Sequence, residues 1–427
     1  MLKLLKGILL TVVVSFYLFP IYFTFLPSSI NSKMLVAVFG IAAFVFNSIR
    51  NRGLMVSEQT LISGIIATVF SAWCLFCIYA ADSHDMTYVT YVVSYLTWMT
   101  GAYGVYSALR LGYDEVDLPL LTRYLAYVCV AQCVLAVLID NFTFLEELVD
   151  KFLNVGQEYY RQRDHRLYGI GAALDPAGIR FSTVLVLMAH QIATNRNLQA
   201  HRWYLVSVMI DYSIIMILGA VISRTTLVGA ALGLGYILFS LIKFRRGGFM
   251  TLKTIQMIYR FLMALTGIVI VTIVIYRHSV PFQGYFRFGF EAFFNWVETG
   301  EFRTHSSDIL MQKMWIWPED FRTWMIGRGT FADYINKTDI GYCNFVFYCG
   351  VIGLAIFSTY FIYCHLSLNR KFRNFLICSL LLVALTFIVW AKVATDIFYI
   401  DALLFCIAAD DMEEGEVLIG DSKVMIP

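Results

Sequence analysis

Residues 278–344 read HSVPFQGYFRFGFEAFFNWVETGEFRTHSSDILMQKMWIWPEDFRTWMIGRGTFADYINKTDIGYCN, the longest stretch of the chain without a continuous apolar run. Long apolar runs flank it on both sides. It carries Arg287, Arg303, Arg322 and Arg328, and the tryptophans Trp296, Trp315, Trp317 and Trp324. Its acids are Glu291, Glu298, Glu301, Asp308, Glu319, Asp320, Asp333 and Asp339. A polar, aromatic, arginine-bearing segment hung between membrane spans is where chemistry is expected, with the spans as its scaffold.

Working outward, the chain is 59% hydrophobic and only 15% charged, with a mean hydropathy of +0.70. A soluble domain cannot carry that much apolar surface, so an integral membrane protein is expected. The apolar runs are roughly 20 residues long, which suits helices and not a β-barrel. The fold class that follows is an all-α polytopic membrane protein with about twelve transmembrane helices. They are placed near 7–26, 34–48, 60–80, 88–109, 120–140, 178–194, 203–222, 226–242, 257–276, 344–364, 374–392 and 396–409. Basic connections then alternate: Lys3/Lys6, Arg50/Arg52, Arg110, Arg196/Arg202, Lys243/Arg245/Arg246/Lys253 and Arg370/Lys371/Arg373 share one side. That side is read as cytoplasmic, with both termini and the acidic tail 410–427 on it. Lys3 and Lys6 ahead of an apolar run resemble a signal peptide. The run is too long and lacks a cleavage site, so an uncleaved first helix is expected.

The opposite side carries two long segments, 141–177 and 278–343, each too short to bury a core of its own. Thr143 with Glu146 reads as a capping box. Phe144, Leu145, Leu148, Val149, Phe152 and Leu153 follow at helical spacing, which suggests a short helix on the outer membrane face or packed on the bundle. Nine cysteines fall in or beside apolar runs. Cys74 and Cys77 have CxxC spacing without a second pair, so they read as small buried hydrophobes.

Arginines dominate the candidate chemistry. Arg161, Arg163, Arg166 and Arg180 come from the first outer segment, and Arg287, Arg303, Arg322 and Arg328 from the second. Arg224, in Ser223-Arg224-Thr225-Thr226, occupies a hairpin with almost no loop and must stay near the membrane surface. Arginine at that depth is costly unless paired, hydrated or holding an anion. A guanidinium matches phosphate oxygens with two parallel hydrogen bonds, so the set suits a lipid phosphate or diphosphate. Singly, each arginine also reads as snorkelling to headgroups or pairing with nearby acids. The tryptophans fit an interfacial belt or stacking on sugar rings. Asp211 and Asp401 fall inside expected spans, as functional groups or as buried hydrogen-bond partners. His84, His165, His278 and His305 lack metal-ligand spacing, so no metal or cofactor is assigned. P-loop, dinucleotide and nucleophile-elbow motifs are missing, and no nucleic-acid partner is expected.

Three passages together resemble the O-antigen polymerase (Wzy-type) family of the O-antigen ligase-like superfamily. The first runs from Arg166 through Asp175-Pro176 to Gly178, the second is Ser223-Arg224-Thr225, and the third runs from Arg303 through Ser307, Trp315, Pro318 and Gly327-Arg328-Gly329. The third continues into Asp339-Ile-Gly341 and Gly350-Val-Ile-Gly353. Sugar-lipid ligases of the superfamily carry a histidine where this chain has Asp339, eleven residues before Gly350, which favours the polymerase.

The resemblance implies a GT-C-like membrane glycosyltransferase with two periplasmic loops. It would join undecaprenyl-diphosphate-linked oligosaccharide repeat units at the periplasmic face of the bacterial inner membrane. Membrane lipids and a chain-length regulator protein are its implied partners. On this reading Arg166, Arg224 and Arg303 hold the departing diphosphate, and Arg180, Arg328 and Trp315 assist in binding diphosphate or glycan. Asp339 is the base or orienter of the acceptor hydroxyl, or else a carboxylate at a helix start. A ligase keeps the same donor but passes the glycan to lipid A core. A flippase would want polar residues along several spans.

Overall fold

The computed structural model describes residues 2–50, 52, 56–153, 166–243, 252–331 and 337–421. Arg161, Arg163, His165, Arg245, Arg246 and Asp333 lie outside the described residues. Among the described residues the secondary structure is helical, apart from two isolated bridges, Tyr22 with Asn31 and Phe23 with Leu153. In chain order the first helices are α1 Leu2–Leu18, α2 Ser32–Arg50, α3 Glu58–Ala80, α4 Tyr91–Gly112, α5 Leu118–Asn141 and α6 Thr143–Phe152. Then follow α7 Leu174–Thr194, α8 Arg196–Ala200, α9 Arg202–Ile222, α10 Thr226–Lys243 and α11 Leu252–His278. The segment after residue 278 forms short helices, α12 Val280–Gly289, α13 Glu291–Thr299, α14 His305–Ile309 and α15 Phe321–Ile326. The chain closes with α16 Gly341–Ser367, α17 Leu376–Trp390 and α18 Phe398–Asp421.

Each expected apolar run therefore lies wholly or in its greater part on a helix. Among the described residues, five helical stretches are long and apolar enough to cross a membrane: α2, α3, α5, α9 and Gly341–Arg370. Burial follows the same logic. Val38, Phe46, Ile65 and Leu238 are each more than half exposed, while Val184 to Leu187 of α7 are fully buried. Apolar side chains facing outward around a packed centre suit a lipid surround, and a helix apolar on all faces belongs in the middle. This is the construction of a multi-pass α-helical membrane protein. All nine cysteines are buried and unpaired, as small hydrophobes.

Some boundaries differ from expectation. The first helix stops at Leu18 and not near residue 26, because Pro20 cannot donate to a helical ladder and restricts the residue before it. The expected capping box is not formed: Thr143 lies inside α6, and Phe142 takes the cap position without a side-chain hydrogen bond. The amphipathic helix forms all the same, with Phe144, Leu148 and Phe152 exposed and Val149 buried.

Two glycines set the architecture near the site. A Cβ on Gly229 would stand 2.2 Å from Ser182 Cα, so only glycine lets α10 lie this close to α7. Ser182 Oγ completes the contact, donating to the Thr225 carbonyl at 2.8 Å and accepting from the Gly229 N–H at 3.2 Å. Gly350 breaks α16 with φ 67° and ψ −178°, a conformation essentially restricted to glycine. The break removes helical donors from the preceding carbonyls. Arg328 N–H donates to the Phe347 carbonyl at 2.7 Å, Gly329 N–H to Tyr348 at 3.0 Å, and the Trp73 indole to Cys349 at 2.9 Å. Gly327-Arg328-Gly329 is thus a backbone clamp on the kink.

Candidate functional site

The short α9–α10 hairpin puts Ser223, Arg224 and Thr225 at the end of the bundle that also carries α12 to α15. Asp175, in the first turn of α7, meets them there. Its Oδ1 accepts from Thr225 Oγ1 at 2.9 Å, Ser223 Oγ at 3.4 Å and Lys392 Nζ at 2.5 Å. Lys392 Nζ also donates to Thr225 Oγ1 at 3.2 Å. Two passages far apart in sequence are therefore one polar knot. Burial alone would raise the Asp175 carboxyl. The Lys392 ammonium, hydrogen bonds from Lys392 and Thr225, and the Arg166 charge outweigh it and hold the group below the usual carboxylate range.

Arg224 is fixed on three sides. Its Nε donates to the Phe288 carbonyl at 2.9 Å, one terminal nitrogen donates to Ser306 Oγ at 3.0 Å, and the other pairs with Glu291 at 2.6 Å. Its guanidinium also lies 4.0 Å from the centre of the Phe288 ring, and the Arg166 guanidinium lies 4.6 Å from the same centre. Arg166 and Arg224 thus share one aromatic platform, with Lys392 tied to the hairpin beside them.

Below Arg224 opens a groove of about 460 Å³. Leu227, Val228, Ala231 and Leu232 line it from one face of α10, and Phe290, Phe293, Phe302 and Ile388 close the opposite wall. Thr304 is the other polar side chain at its rim. The arrangement is a cationic, hydrogen-bonding head joined to an apolar channel that follows a helix.

The other expected residues divide. Arg180 stands on α7 with its guanidinium 5.7 Å from the Phe19 ring centre and 5.8 Å from that of Tyr399. Among the described residues no hydrogen-bond partner reaches its buried Nε. Arg303 turns to its own loop, pairing with Glu301 at 2.5 Å and lying 3.8 Å from Asp308, and is not brought to Arg224. Its neighbour Thr304 lines the groove instead, and Ser306 accepts from Arg224. Arg328 lies over the Phe347 ring at 4.4 Å, part of the clamp on the α16 kink. Asp339 is exposed and stands two residues before the start of α16. Trp315 packs 5.8 Å from Trp317 and 6.4 Å from Tyr342, and Trp317 stacks on Trp324 at 5.3 Å, giving a partly exposed indole row.

The two carboxylates inside the apolar runs are accounted for separately. Asp401 is fully buried and bonded to His365 Nδ1 at 2.7 Å, while His365 Nε2 meets Thr386 Oγ1 at 3.0 Å, a polar tie among α16, α17 and α18. Asp211 lines a different cleft, with Arg123, Gln191, Asn195 and Tyr204, between α5, α7 and α9.

Sequence reasoning missed Lys392. A signal existed for it: it ends an expected apolar run whose other end carries Arg370, Lys371 and Arg373, and a lysine there is unexpected. Phe288, Glu291 and Ser306 carried no signal, since their roles come from contacts with Arg224 across a long stretch of chain. Compared with known proteins, the chain matches no family model, no curated protein and no solved structure.

Proposed function

We propose that this protein is a polysaccharide polymerase of the O-antigen polymerase type, a GT-C-like bundle of about twelve spans in the bacterial inner membrane. It transfers a growing glycan from undecaprenyl diphosphate to the next lipid-linked repeat unit at the periplasmic face. The observation that carries this reading is the pairing of Arg166 and Arg224 on Phe288 at the head of the apolar groove along α10. A polyprenyl diphosphate has the complementary form, a doubly phosphorylated head on a long apolar tail.

The chemistry follows from that fit. An acceptor hydroxyl attacks the donor's anomeric carbon and gives up its proton to solvent water, the bond from that carbon to the diphosphate oxygen breaks, and the diphosphate leaves with the electron pair. Developing charge on the leaving oxygen needs fixed positive charge more than a proton, and guanidinium groups already held in place supply it without reorganising. Glu291, Ser306 and the Phe288 carbonyl hold Arg224, so its plane is set before substrate arrives. Asp175 does the same for Lys392.

Deletion of the gene followed by electrophoresis of surface glycan tests the reading. Loss of the long-chain ladder with single-repeat material still attached is expected. Loss of all surface glycan would place the protein at ligation or translocation instead, and an unchanged ladder would refute the proposal.

A further inference from the structure

A second cationic group lies across α7 from the first. Asp175 and Arg180 are five residues apart, which at 100° per residue sets their side chains about 140° apart around the helix. Arg180 therefore faces away from Lys392 and Arg224, towards α2 and the start of α18. There Lys33 and Arg180 converge on the start of α18: Lys33 lies over the Trp98 ring, that ring is 5.7 Å from the Tyr399 ring, Arg180 is 5.8 Å from the same Tyr399 ring, and Asp396 stands three residues before it. Yet among the described residues no ion pair joins either cation to that carboxylate.

Each group is backed by rigid contacts. Lys33 Nζ stands 4.0 Å from the Trp98 ring centre, and Arg180 lies between Phe19 and Tyr399. Tyr399 is fixed by a 3.1 Å hydrogen bond between its hydroxyl and Thr183 Oγ1, and by Tyr17 Oη donating to its carbonyl at 2.8 Å. One Asp396 oxygen accepts the Phe398 N–H at 3.1 Å, which anchors the carboxylate at the start of α18. Two cations against one acid leave a net positive charge, and the Arg180 Nε is buried with its donor unused. A buried donor without an acceptor is costly, and a bound oxyanion removes that cost.

We infer that Lys33, Arg180 and Asp396 form a second oxyanion pocket, which takes the diphosphate of the acceptor lipid while the Arg166–Arg224 head holds that of the donor. This rests on the polymerase reading. Joining two lipid-linked saccharides requires both heads to be held at once, with one repeat unit spanning the gap between them. The thickness of a helix, roughly 10–12 Å, is on the scale of a short oligosaccharide.

The test is calorimetric titration of the full-length protein in lipid nanodiscs with inorganic pyrophosphate. Two binding events are expected. Arg224→Ala should remove one, and Lys33→Gln should weaken the other about ten- to hundredfold, the worth of a hydrogen bond to a charged group. Arg180→Lys, which keeps the charge, serves as the second variant, with elution profile and thermal midpoint checked for each. A single event that Lys33→Gln and Arg180→Lys leave untouched would overturn the pocket. So would displacement at this site by short-chain phosphatidylglycerol at lower concentration than pyrophosphate, which would mark a resident phospholipid. The two failures are separable. A missing second event in a protein whose deletion abolishes the ladder overturns the pocket alone. Two events in a protein whose deletion leaves the ladder intact overturn the polymerase reading, and with it the acceptor as occupant.

Discussion

Replacing Arg224 by lysine keeps the charge and removes the plane. The guanidinium now reaches the Phe288 carbonyl, Ser306 Oγ and Glu291 together, at 2.9, 3.0 and 2.6 Å. These partners lie in different directions, and one ammonium can keep at most one of them in good geometry. Two hydrogen bonds from a charged group, at about 1.5 kcal/mol each, amount to ~3 kcal/mol of lost positioning. If that loss falls on the transition state, it corresponds to about a hundredfold in kcat/KM. Arg224→Ala, which also removes the charge, should cost more, on the order of a thousandfold. The assay is the initial rate of chain extension in membrane vesicles supplied with lipid-linked repeat units, with protein level checked by blotting. Lysine restoring half or more of the wild-type rate would refute a catalytic need for the guanidinium plane set by these partners, leaving at most a diffuse electrostatic role.

Other outcomes follow from the same contacts. Gly350→Ala forces a φ of 67° on a residue with a Cβ that would sit 2.1 Å from the Met325 carbonyl oxygen. The backbone strain alone is roughly 1–3 kcal/mol, so the thermal midpoint in detergent should fall by several degrees; an unchanged midpoint would contradict the clamp on α16. The Asp175 carboxyl is held low when folded, so its stabilisation is fully present above the unfolded value of about 3.9 and is lost as pH falls through the depressed one. The midpoint gap between wild type and Asp175→Asn should therefore be full at neutral pH and shrink below about pH 4. A gap that widens on acidification would contradict the ion pair with Lys392.

The scaffold was legible because twenty-residue hydrophobicity is a strong, local signal. Its ends were less so, since Pro20 acts on backbone geometry that a hydropathy reading ignores. Arg224 could be singled out because a hairpin without a loop leaves its charge nowhere else to go. Arg166 and Asp175 came from a passage whose meaning became physical once Asp175 was seen to bind Thr225 and Lys392. Arg303 pairs within its own loop, with Glu301 and Asp308 two and five residues away, a local arrangement the motif reading did not anticipate. Lys392 was hidden by being counted as the last residue of an apolar run. Gly327-Arg328-Gly329 looked like part of a binding loop, while its backbone satisfies carbonyls freed at Gly350. That role depends on a kink no local pattern announces.

The most direct measurement is photo-crosslinking of the full-length protein with a polyprenyl diphosphate carrying a diazirine on its lipid chain, read out by peptide mass spectrometry. Label is expected on the α10 face from Leu227 to Leu232 and on Phe290 to Phe293, reduced by excess unlabelled polyprenyl diphosphate and lost in Arg224→Ala. Label confined to other helices, such as the cleft around Arg123, or undiminished by Arg224→Ala, would contradict a diphosphate head seated on these arginines.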